Sequence, residues 1–156
     1  MLRQVTRLGV GVERWTTHAQ LAAVTGVVVP AYFSAKPTDD LIRHLMHMTL
    51  ADTPHFLPWG HTCVVVDGDA RTERLVREMQ QEVLAREGVT FACLALPENR
   101  GKLGALVAGI SALLQAEPAI QYVAVRDGDG DHDLADVPTL VRLTMGLQEA
   151  YGHDRM

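Results

Sequence analysis

Four short apolar runs, the first of them β-branched, each followed by a turn and then by helical apolar spacing, constrain this chain more than any other feature. Thr25-Gly26-Val27-Val28-Val29-Pro30 is the first, His61 to Val66 the second, Val89 to Leu96 the third and Ile120 to Val125 the fourth. The first reads as a strand buried on both faces, the second as another buried strand, and the third and fourth as strands. Buried strands separated by helices need crossover connections, and right-handed crossovers place them in one parallel sheet. The expected fold class is α/β, an open, doubly wound, mainly parallel sheet with helices on both faces.

The helical segments carry their own start and stop signals. Thr38-Asp39-Asp40 offers capping oxygens and early negative charge to a helix with Leu41, Ile42, Leu45, Met48 and Thr49 on its apolar face. Pro54, Pro58 and Gly60 make the stretch from Ala51 to Gly60 a loop. After Asp67-Gly68-Asp69 a charged helix repeats Leu75, Met79 and Val83 every fourth residue and stops at Gly88. Pro97-Glu98-Asn99-Arg100-Gly101-Lys102 turns into a helix with Leu103, Leu106, Val107, Ile110, Leu113 and Leu114 on one side. Pro138 lies near the start of the last helix, which carries Leu140, Leu143 and Leu147.

A chain of 156 residues with 47% hydrophobic content can bury one real core. Residues 1–24 are expected to be an N-terminal extension, and residues 25–156 the domain. Cys63 and Cys93 each sit inside an apolar run, so they read as buried strand residues rather than a disulfide framework or a zinc site, and a reducing cytoplasm is the expected compartment. A formal charge of −5 without a basic stripe argues against a nucleic-acid binder. Arg3 and Arg7 precede only a short apolar stretch, Leu8 to Val12, which is no secretory signal. The apolar segment from Leu103 to Ala116 is too short to span a bilayer. A soluble protein is expected, with peripheral membrane association and oligomerisation left open.

In an open α/β sheet, ligands bind beyond the carboxyl ends of the strands where the strand order reverses. That rule selects Pro30 to Phe33, Asp67 to Asp69, Pro97 to Lys102 and Asp127 to Asp133. In the last segment Asp127, Asp129, Asp131 and Asp133 alternate with Gly128, Gly130 and His132. Carboxylates so crowded repel unless a cation or solvent intervenes, and Mg²⁺ or Mn²⁺ takes one or two of them together with water and substrate phosphate. The plainer reading is a solvated acidic turn. An EF-hand is excluded, because His132 stands where the sharp-turn glycine belongs and Pro138 where the bidentate glutamate belongs. Asp67 could accept hydrogen bonds from a base or ribose, or simply make an Asp-Gly turn. Asn99 to Lys102 could face an anion with helix N–H groups and two cationic side chains, or be a cap with a solvated lysine. Tyr32 could stack on a base or pack. His132 could ligate a metal or sit in the turn, whereas His44, His47, His55 and His61 show no ligand spacing. Trp15 and Trp59 read as packing or surface anchors. There is no nucleophile elbow, Walker loop or dinucleotide fingerprint.

Taken in chain order, Val27-Val28-Val29-Pro30-Ala31-Tyr32, Val65-Val66-Asp67-Gly68-Asp69, Asn99-Arg100-Gly101-Lys102 and Tyr122 to Asp129 resemble the family 2 glycosyltransferases of the GT-A fold, over roughly residues 25–145. The resemblance implies a nucleoside-diphosphate-sugar donor, inverting transfer to an unknown acceptor, and Mg²⁺ or Mn²⁺ as cofactor. It implies nucleobase contact by Asp67, a nucleotide pocket flanked by Asn99 and Lys102, and ribose and metal-diphosphate contact by Asp127 and Asp129; place at the strand ends adds Pro30, Tyr32 and Asp69 to the expected substrate-binding residues, and the acidic loop adds Asp131 to the expected metal ligands. The sequence departs from the family at Asp69, where a small residue is usual, and in the longer acidic loop, which leaves Asp131-His132-Asp133 as a rival metal pair. The family's acceptor pocket and catalytic base lie beyond the position of Met156, so the GT-A-like sheet is expected to be truncated and no base is assigned. A fragment, a chain completed by a partner and an inactive donor-binding module all fit. Two rivals remain: a sugar-nucleotidyltransferase, whose glycine- and arginine-rich loop Pro30-Ala31-Tyr32-Phe33 does not match, and a regulatory module that binds cations only.

Overall fold

A computed structural model of the chain describes residues 17–128 and 132–151. In chain order the elements are α1 (His18–Val24), β1 (Thr25–Ala31), α2 (Asp39–Leu50), α3 (Thr53–Phe56), a 3₁₀ turn (Trp59–His61), β2 (Thr62–Asp67), α4 (Ala70–Glu87), β3 (Ala92–Leu96), α5 (Gly101–Ala116), β4 (Tyr122–Val125) and α6 (Asp136–Tyr151). The strands form one sheet in the order β3-β2-β1-β4, and every pairing is parallel. The fold is the expected doubly wound α/β sheet.

Successive strand side chains point to opposite faces, so β1 and β2 feed two cores. Val27, Val29, Ala31, Val64 and Val66 pack on one face with Ile42 and Met46 of α2, Leu75, Val76, Met79 and Val83 of α4, and Val137 and Val141 of α6. Leu21 of α1 belongs to the same core. Val28, Cys63 and Val65 face the other way, against Ala105 and Leu113 of α5 and against Ile120. The chain crosses back under the sheet only between β3 and β4. α5 therefore stands on its own face, and the strand order reverses between β1 and β4.

Several local expectations shift. In α2 the buried stripe is Ile42, Met46, Thr49 and Leu50, with Met48 exposed, because the apolar face turns toward α4. The stretch from Ala51 to Gly60 is not all loop: Pro54 fits the first turn of α3, where its missing N–H costs nothing, and Trp59 is buried in the 3₁₀ turn. β3 begins at Ala92 rather than Val89, because Gly88 closes α4 in the left-handed conformation and leaves Val89 exposed. Along α5 the residues pressed to the sheet are Ala105, Gly109 and Leu113, while Leu103, Val107 and Leu114 are exposed. A Cβ on Gly109 would lie 2.3 Å from Val65 and 2.8 Å from Val28, so the helix backbone lies close against the sheet at this point. In α6, Val137 and Val141 are buried and Leu140, Leu143 and Leu147 face outward. Trp15 lies outside the described residues. Among the described residues no helix is long and apolar enough to cross a membrane.

Candidate functional site at the carboxyl rim of the sheet

A cleft of about 470 Å³ opens at the carboxyl ends of the strands, at the reversal between β1 and β4. Pro30, Tyr32 and Lys36 line it from β1 and the loop after it, Asp67 from β2, Asn99 and Lys102 from the start of α5, and Asp127 from the end of β4. These segments are far apart in sequence, and parallel connectivity brings them together because every strand runs the same way and ends at the same rim.

Asp67 is the last residue of β2 and only 4% exposed. One carboxylate oxygen, Oδ1, accepts the Arg100 N–H at 2.7 Å, which ties the β3–α5 turn to β2. Gly68 permits this closeness: its φ is +67°, and a Cβ there would meet the Asn99 nitrogen at 2.2 Å. Asn99 Oδ1 accepts the Gly101 N–H at 3.0 Å, so Asn99 shapes the entry to α5 as well as lining the cleft. Tyr32 stands at the lip, 52% exposed.

Asp69, expected at the substrate, is placed elsewhere. Its carboxylate caps α4, accepting the Thr72 N–H at 3.0 Å and the Thr72 hydroxyl, and it does not line the cleft. The extra acid after Asp-Gly is consumed by the helix start. It acts on the site only at second hand, since the Thr72 hydroxyl oxygen accepts the Phe33 N–H at 3.1 Å and so holds the loop after β1.

Of the acidic loop, Asp129 and Asp131 lie outside the described residues. Asp127 reaches the cleft, and its Oδ1 pairs with Lys102 Nζ at 2.8 Å. The Asp127 N–H donates to His132 Nδ1 at 3.1 Å, and His132 Nε2 stands 3.8 Å from Asp127 Oδ2. Asp133 turns away: its Oδ1 accepts the Ala135 N–H at 2.9 Å ahead of α6, and it lines a separate groove beside β4. A hard divalent cation would find an oxygen ligand at Asp127, on the side that Lys102 now covers. Among the described residues there is no cluster of three or more His, Cys, Asp or Glu arranged to hold a metal.

Two residues that sequence reasoning passed over belong to this region. Lys36 lines the wall of the cleft, where its carbonyl accepts Arg71 Nη1 at 2.7 Å and its N–H donates to the Phe33 carbonyl at 3.0 Å. Arg71 in turn donates through Nε to Asp39 at 2.7 Å, and Arg74 reaches the same carboxylate at 2.9 Å. Those guanidinium hydrogen bonds hold the Asp39 carboxyl down at about 2. The signal for Lys36 was its position as the one basic residue between β1 and α2.

Arg126 is the second, 4% exposed directly after β4. Its guanidinium donates to the Thr49 carbonyl at the end of α2 and, at 2.7 Å, to the His132 carbonyl. Burial pulls its pKa below the ordinary arginine value, with Asp133 and Asp52 opposing. A basic residue between an apolar strand and an acidic loop was the available sign.

Comparison of the chain with family models, with curated proteins and with solved structures gives no match.

Proposed function

We propose that the chain is the donor-binding part of a glycosyltransferase of the GT-A type, taking a nucleoside-diphosphate sugar with help from Mg²⁺ or Mn²⁺. The observation that carries this reading is the meeting of Asp67, Tyr32, Lys36, Lys102 and Asp127 around one cleft at the strand-order reversal. Each supplies a different part of the recognition. The Asp67 carboxylate, fixed at one oxygen by the Arg100 N–H, offers its remaining acceptor capacity to an N–H of the base or to a ribose hydroxyl. Tyr32 offers its ring to the base. Lys36 and Lys102 are the basic residues that line the cleft and would face the diphosphate, and the N-terminal end of α5 adds its dipole. Asp127 would hold the cation, which when bound neutralises charge developing on the departing diphosphate.

Calorimetric titration with UDP- and GDP-sugars, with and without Mn²⁺, tests the reading. Metal-dependent binding of one donor is expected, and Asp67→Asn should weaken it about tenfold or more through loss of a charge-assisted hydrogen bond. Absence of metal-dependent binding to any donor would count decisively against the proposal.

A second reading is a donor-binding module that performs no transfer. The two carboxylates that line the cleft are both engaged, Asp67 by the Arg100 N–H and Asp127 by Lys102. Donor binding without release of the sugar to water or to any acceptor would favour it.

A further inference from the structure

Behind the cleft, one hydroxyl fixes the wall that carries Tyr32 and Lys36. Thr72 lies in the first turn of α4 and is 0% exposed. Its hydroxyl donates its single proton to Asp69, and its oxygen accepts the Phe33 N–H at 3.1 Å. The carboxylate thus gives the hydroxyl its direction, and a hydroxyl that donates to a charged acceptor is itself a stronger acceptor. Tyr32 stands between two fixed points. On one side the ladder between β1 and β2 ends with Ala31 opposite Val66, and on the other Thr72 holds the Phe33 N–H. The chain then turns, with the Lys36 N–H on the Phe33 carbonyl and the Lys36 carbonyl on Arg71, the neighbour of Thr72 in α4. Phe33 also meets the far wall. A Cβ on Gly128 would lie 3.0 Å from Phe33 Cζ and 3.2 Å from the Pro30 carbonyl oxygen, so the chain leaving β4 beside Asp127 rests on the chain leaving β1.

Resting on the donor-binding reading above, we propose that Thr72 is a positioning residue of the nucleotide site, whose hydroxyl holds residues 32–36 in the binding arrangement before the ligand arrives. Thr72 does not itself line the cleft. It acts through Phe33, whose backbone it fixes and whose ring bears on Gly128, so the hold reaches both walls. A wall already in place spares the nucleotide the free energy of ordering it, which is how a group outside the site raises affinity. Loss of the hydroxyl leaves the buried Phe33 N–H without its acceptor, and the loop must shift to find another. Tyr32, exposed at the lip, is then no longer held where a base would meet it.

The test is a set of calorimetric titrations with UDP and GDP, at one fixed Mn²⁺ concentration, on the full chain, on Thr72→Val, Thr72→Ser and Tyr32→Ala, and on Thr72→Val combined with Tyr32→Ala, each with a thermal melt. Thr72→Val keeps the side-chain shape without the hydroxyl and is expected to weaken the better-bound nucleotide about tenfold, whereas Thr72→Ser, which keeps the hydroxyl, should stay within about threefold of the unsubstituted chain. Tyr32→Ala should cost about fivefold alone but less than about twofold on top of Thr72→Val, because the ring it removes is already out of place. Should Thr72→Val fail to melt cooperatively, Gly128→Ala, which presses on Phe33 from the other wall, takes its place and should likewise weaken binding and shrink the effect of Tyr32→Ala. A hydroxyl that served only the fold would lower the melting temperature with nucleotide affinity unchanged. That outcome, or full additivity with Tyr32→Ala, would overturn the positioning role while leaving donor binding intact. Failure of the unsubstituted chain to bind either nucleotide would overturn the positioning role and the donor-binding reading together.

Discussion

Arg126 shows how much one side chain can decide at this rim. A helix ends with carbonyls that have no intrahelical partner, and Arg126 caps one of them, Thr49 in α2, while its other arm holds the His132 carbonyl. Replacing it with methionine keeps the apolar stem but leaves two carbonyls without their donor. Arg126→Met should lower stability by about 2–4 kcal/mol in urea denaturation, with lost protection of the loop from residue 127 onward. Asp39 gives a pH-dependent counterpart. Its carboxyl is held at about 2 by Arg74 and Arg71, below the ordinary 3.8, so it stabilises the fold above about 3.8 and loses that contribution as pH falls from there toward 2. Thermal melts from pH 5 to pH 2 should show the unsubstituted chain losing stability relative to Asp39→Asn across that window, and parallel curves would contradict the assignment. Neither residue announced its partner in the sequence. Asp39 was legible as an early helix acid, but its bonds to Arg71 and Arg74 span more than thirty positions and are fixed only when α2 and α4 pack.

Elements were readable where one physical cue dominated. β1 and β2 follow from buried β-branched runs, β3 and β4 from apolar runs that turn out only partly buried, and the helices from caps such as Thr38 and Gly88, both of which form as expected. Helix faces were harder, because α5 and α6 carry large apolar residues on more than one side. Which side is buried depends on how closely a backbone can approach the sheet, and in α5 Ala105 and Gly109 allow the closest approach. Gly109→Ala tests this directly. In a free helix alanine would be favoured over glycine by up to about 1 kcal/mol, yet here the added methyl meets Val65 and Val28. A net destabilisation of about 1–3 kcal/mol is expected by chemical denaturation, and a stabilised variant would mean that α5 does not press on β1 and β2 as described.

At the scale of the whole molecule, the candidate site is a consequence of topology. A parallel sheet sends every strand end to one rim, so Asp67, Asn99, Lys102 and Asp127 meet there although up to sixty positions separate them. That convergence was legible because the rule for open α/β sheets needs only the strand positions. The withdrawal of Asp69 into the α4 cap and of Asp133 into the turn before α6 was not, since a carboxylate near a helix start serves a cap or a ligand with the same sequence signature. The central claim is that this rim binds a cation-bound nucleotide as a single site. Hydrogen exchange of backbone amides with and without Mn²⁺ plus UDP or GDP measures it most directly. The account predicts simultaneous added protection at residues 31–36, 67–69, 99–102 and 126–128, with the outer turns of α4 unchanged. Protection confined to one of those segments, or appearing away from the carboxyl rim, would contradict it.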